Sequence, residues 1–178
     1  MIETVLTDSA FLLSIRWVLA VVFVVAAMHK LSAPASFVAT LNAYRLVPDS
    51  LTAIAGYTLI AAELVTALAL VLNTTAGSVV AAGILTVYTL AISINLLRGR
   101  RDIDCGCSGP HLRQTLSGWL LIRNLGFIAL AALTVSSGVA HRPLGILDWF
   151  TALAAAATFT LIYFSANYIA SVSARYGR

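Results

Sequence analysis

Five apolar runs, each long enough to cross a lipid bilayer, leave this chain few folds to choose from. They lie at roughly 10–29, 51–72, 77–97, 116–138 and 146–171, and a helix needs about 20 residues to span a hydrocarbon core of about 30 Å. In lipid the backbone must satisfy its own hydrogen bonds, which a helix does within one segment. The expected fold is therefore all-α: a polytopic membrane helical bundle of about five transmembrane helices. Composition agrees, since 60% of residues are hydrophobic, only 10% are charged and the mean hydropathy is +0.94, outside the range of soluble globular domains. With four prolines, 11 glycines and no low-complexity tract to act as a linker, residues 1–178 read as a single transmembrane domain.

The first run is read as a span and not as a signal peptide. Its leader, "MIETVLTDS", carries Glu3 and Asp8 and no basic residue, whereas a signal peptide opens with a positive region. Between the first two runs, "SAPASFVATLNAYRLVPDS" sets Phe37, Leu41, Tyr44 and Val47 at roughly helical spacing before Pro48. That pattern predicts a short interfacial helix.

The net charge of +4 has to be read by position. With Arg16 and Arg123 set aside inside spans, one side of the bundle collects Lys30, Arg45, Arg98, Arg100, Arg101, Arg113, Arg175 and Arg178, and the other holds only Arg142. Basic loops stay in the cytoplasm, so the amino terminus is expected outside and the loop after the third span inside, in the cell membrane. No basic groove interleaved with aromatics is present, so lipids and not nucleic acid are the expected surroundings. No internal repeat suggests an inverted-repeat transporter.

That inward loop, "RRDIDCGCSGPH" at 100–111, holds both cysteines of the chain. Gly106 between Cys105 and Cys107 removes the side chain that would obstruct a turn, and a disulfide closing so small a ring is expected to be strained and readily exchanged. Arg100, Arg101 and Arg113 favour thiolates, while Asp102 and Asp104 oppose them. The same loop supports two other readings. Cys105, Cys107 and His111 could serve as soft or borderline ligands for zinc or copper(I), and two small residues in a juxtamembrane turn could also be inert.

Ionisable residues inside a span are costly and mark function by default. Counting helical rise, Glu63 lies roughly 22 Å beyond Pro48 and Arg16 roughly 21 Å beyond Lys30, which predicts an Arg16–Glu63 pair. Arg123 and Asn124 in the fourth span are expected to face a polar cavity with Asn95 and Ser93. Together Arg16, Glu63, Arg123 and Asn124 outline a candidate pocket for a small redox cofactor. No cofactor is fixed by the sequence; a quinone is the one such a pocket would suit. The competing explanation is structural bonding between helices, and a transporter or scaffold built on this cavity would ignore the thiols. Elsewhere small residues such as Gly83 and Ala154–Ala157 suit close helix packing.

Several of these residues coincide in one pattern: Arg16, the "HKL" after the first span, "AYRLVP", Glu63, "CGCSG" at 105–109 and the pair Arg123–Asn124. On them the chain resembles the methylamine utilisation protein MauE family, within the DoxX-like group of small helical membrane proteins, over about residues 14–130. The chain departs from the pattern at Ser108 and at Ala26 and Ala27. The resemblance implies a four-helix DoxX-like core with a C-terminal helix added. It further implies thiol–disulfide chemistry at Cys105 and Cys107 with a thioredoxin-like partner, in maturation of the disulfide-rich small subunit of methylamine dehydrogenase. The residues would suit an oxidoreductase or a relay subunit equally. An exported client and an inward loop require that electrons cross the bundle, that the loop fold back into a cavity, or that the orientation be reversed.

Overall fold

A computed structural model of the protein describes residues 8–106, 114–136 and 144–176. Six helices follow in order: α1 (Ser9–Ser32), α2 (Pro34–Tyr44), α3 (Asp49–Val71), α4 (Thr75–Leu97), α5 (Gly118–Ser136) and α6 (Ile146–Tyr176). All but α2 are long and apolar enough to cross a membrane. The chain is thus an all-α polytopic bundle, with no strand among the described residues.

Local chemistry sets the helix ends. Asp8 caps α1 by accepting from the N–H of Ala10 at 2.8 Å and of Phe11 at 3.4 Å, satisfying donors the helix leaves open. Pro34 opens α2, where its fixed φ and missing N–H cost nothing, and Arg45 closes it in the left-handed region at φ 50°. Thr74 caps α4 through the Gly77 N–H at 3.1 Å. A β-carbon on Gly77 would lie 2.8 Å from the backbone of Ala69 and Leu70, so the α3–α4 hairpin closes only because that position has no side chain.

Helix α1 is the central element. Its Ile15, Leu19, Ala20 and Phe23 meet Ala67 and Leu70 of α3, Ala81 and Leu85 of α4, and Phe127 and Ala131 of α5 in one buried cluster. Trp17 of α1 and Trp149 of α6 lie 5.6 Å apart, centroid to centroid. The outer faces carry large exposed apolar side chains, among them Val65, Leu97, Ile122 and Leu161. Such a belt is stable only against lipid or a partner.

Candidate functional site

The cysteine loop folds inward as a clip. Cys105 donates its backbone N–H to the Gln114 carbonyl at 2.8 Å and Leu116 donates to Ile103 at 3.1 Å, around an antiparallel bridge between Asp104 and Thr115. The Gly106 N–H then donates to Asp104 Oδ1 at 3.1 Å, and Gly106 takes φ 72°, a conformation that glycine adopts without steric cost. Its α-carbon abuts α2: an added β-carbon would sit 3.3 Å from Thr40 and 3.4 Å from Phe37. Arg100 braces the clip, donating to Asn95 Oδ1 at 3.2 Å and to the Tyr44 carbonyl at 3.5 Å.

Cys105 is consequently buried, at 8% exposure, among Tyr44, Ile92, Leu116 and Leu120. Tyr44 donates its hydroxyl to the Cys105 carbonyl at 3.4 Å. Cys107, Ser108 and His111 lie outside the described residues. Among the described residues no three His, Cys, Asp or Glu side chains converge as metal ligands, and the metal reading turns on the undescribed pair.

Glu63 has a partner, but a different one from the Arg16 expected. Its Oε1 accepts from the Lys30 ammonium and, at 2.7 Å, from the Tyr88 hydroxyl. Lys30 also donates to Tyr88 Oη at 3.1 Å and stands 5.0 Å from the Phe37 ring centroid and 4.9 Å from that of Tyr88. Lys30 is 3% exposed and Glu63 fully buried, so each charge relies on the other and on these aromatic faces. The depth count fails because Lys30, in the last turn of α1, is itself buried and meets Glu63 there. Helix α2 carries the chain onward, and the Lys30 side chain leans back toward the start of its helix, as helical side chains do. Lys30 therefore leaves the loop tally, and the bias that remains is seven to one.

Arg16 serves the opposite end. It donates to the carbonyl and side chain of Asn73 and to the Thr134 carbonyl at 3.1 Å, tying the α3–α4 link to the end of α5. Asn73 is ten residues beyond Glu63, about 15 Å of helix. Arg123 donates to Asn124 Oδ1 at 3.4 Å, and Asn95 bonds the Ala91 carbonyl and Arg100. Arg16 and Glu63 thus share no bonding partner.

The cavity that is present holds about 160 Å³ between α2, α3, α4 and the clip. Its walls are apolar, and Lys30, Tyr44, Tyr88 and Cys105 are among the residues that form them. Arg16, Arg123 and Asn124 do not line it. Sequence reasoning missed Lys30 and Tyr88 as functional residues. A phenol in the apolar run "TVYTLAIS" was their available signal, because buried tyrosine hydroxyls seek a partner.

The model of the family described as "Methylamine utilisation protein MauE" matches residues 8–137. The chain belongs to the MauE family. It is 38% identical over 164 residues to the "Methylamine utilization protein MauE" of Paracoccus denitrificans, covering 90% of this chain and 88% of that protein. The protein of the same name from Paracoccus versutus is 33% identical over 176 residues, with 98% and 95% coverage. That of Methylorubrum extorquens is also 33% identical over 176 residues, with 97% and 94% coverage. No solved structure matches. The MauE match takes in α1 to α5, the clip and both ends of the Lys30–Glu63 pair; α6 lies beyond it.

Proposed function

We propose that this MauE-family protein is a thiol–disulfide relay of the cell membrane that supports methylamine utilisation. Cys105 and Cys107 form the working pair, and a thioredoxin-like protein is the partner. The elementary step is attack of a thiolate on a disulfide sulfur, giving a mixed disulfide that the second thiol resolves. One observation carries the reading: the only two cysteines of the chain flank a glycine, and the first is held in a clip, buried against an apolar cavity that it helps to line. A merely solvated turn would need neither the clip nor the burial. By family resemblance the client is the small subunit of methylamine dehydrogenase. The basic bias of the loops supports an outside amino terminus and an inward clip.

Single-cysteine variants test the proposal. With Cys105→Ser or Cys107→Ser, one of the two should accumulate a reducible adduct with a thioredoxin-fold protein, because the resolving thiol is gone. The double variant should give no adduct and leave the partner in an altered redox state. Absence of adducts from both single variants, with an unchanged partner in the double variant, overturns the relay.

A further inference from the structure

The cavity between α2, α3, α4 and the clip is apolar, lies beside exposed apolar side chains and has arginines at one end. We propose that it holds part of one acyl chain of an anionic phospholipid, whose phosphate lies against Arg45 and Arg98. Lipid binding of this kind needs neither thiol.

Polarity and size select a hydrocarbon. Phe37 and Leu41 of α2, Leu59 of α3 and Ile92 of α4 are among the walls, and the Lys30 ammonium is already engaged by Glu63 and Tyr88. An apolar cavity of about 150 Å³ admits benzene, so about 160 Å³ takes a stretch of about six carbons from a single chain. Left empty, such a space forfeits dispersion contacts along its lining, and in a bilayer the nearest filler is a lipid tail. Leu46 and Val87 line the cavity and also stand 39% and 56% exposed on the apolar outer surface, so a chain enters from the side without passing a polar barrier.

Charge at the rim selects the headgroup. Arg45 is exposed and stands in the chain between two lining residues, Tyr44 and Leu46. Arg98, at the end of α4, follows the lining residue Val87 by eleven residues, about three turns, and so continues the same helix face beyond the cavity. Arg100 donates to the Tyr44 carbonyl at 3.5 Å, beside Arg45. Of the carboxylates at this end, Asp104 accepts the Gly106 N–H, Asp49 lies in the first turn of α3, where the helix dipole favours it, and Asp102 is exposed. Among the described residues the one salt bridge is Lys30–Glu63. Arg45 and Arg98 are thus left for an outside anion, and basic pockets at the ends of membrane helices suit anionic lipid headgroups.

The test is native mass spectrometry of the full-length protein in detergent, titrated with dioleoyl phosphatidylglycerol and, separately, with dioleoyl phosphatidylcholine. The wild type should retain a single phosphatidylglycerol and bind it at least about fivefold more tightly than phosphatidylcholine. Arg45→Gln should weaken phosphatidylglycerol about fivefold, the worth of one arginine near an anionic lipid surface, and leave phosphatidylcholine unchanged. Ala91→Phe and Ala55→Leu place bulk in the cavity from α4 and α3 and should each weaken both lipids by about tenfold or more; if Ala91→Phe does not fold, the smaller Ala55→Leu decides. Equal affinity for the two lipids in the wild type overturns the proposal. So does wild-type lipid binding by the folded cavity-filling variants, as a loose lipid annulus would give, and so does a wild type that carries no lipid and pairs with a second copy.

Discussion

At the scale of single residues, Glu63 shows why a buried charge reveals its importance more readily than its partner. A carboxylate in the run "TLIAAELVTALAL" demands a counter-charge, and helical rise alone offered Arg16. Lys30 competes from the other end of α1 because its flexible stem reaches several ångströms along the helix axis, a freedom that residue counting ignores. Removing one partner of a buried pair costs about 3 kcal/mol or more, since it strands the other charge. Glu63→Gln and Lys30→Met should each lower the thermal midpoint in detergent, and the double variant should lose much less than the sum of the two. Arg16→Gln combined with Glu63→Gln should instead add to within about 0.5 kcal/mol, because Arg16 bonds Asn73 and Thr134 and shares no partner with Glu63. Strong coupling in that second cycle would reinstate the Arg16–Glu63 pair.

At the scale of elements, the five spans were legible because hydropathy over some twenty residues averages out local accidents. The observed α1 and α3–α6 fall within a few residues of the expected runs. Helix α2 was legible as a helix from Phe37, Leu41 and Tyr44, but not as the wall of a cavity, since its spacing says nothing of which neighbour it covers. Phe37 in fact stacks near the Lys30 ammonium, and α2 receives the cysteine clip at Gly106. The α3–α4 hairpin permits a sharp comparison. Gly77→Ala puts a methyl group 2.8 Å from the α3 backbone and should cost about 1–3 kcal/mol, whereas Gly83→Ala meets nothing within 4 Å and should be close to neutral. Thermal unfolding of the two variants checks this; equal midpoints would mean that α3 and α4 do not approach as closely as they do here.

At the scale of the whole molecule, the cysteine pair and the intramembrane charges looked like separate features in the sequence, and the fold joins one charge cluster to one cysteine. Cys105 and Lys30 are 75 residues apart in the chain yet line one cavity, a long-range relation that local pattern does not encode. The charge bias predicts that a membrane-impermeant thiol reagent leaves the cysteine loop unlabelled in intact cells and labels it in inverted vesicles; labelling in intact cells reverses the orientation. The most direct measurement of all is a redox titration of the Cys105–Cys107 pair in the purified protein against defined thiol–disulfide buffers. The relay predicts a reversible two-electron transition at a potential above about −300 mV, where biological dithiols can open the bond. A pair that never closes, or that stays closed far below that potential, contradicts it.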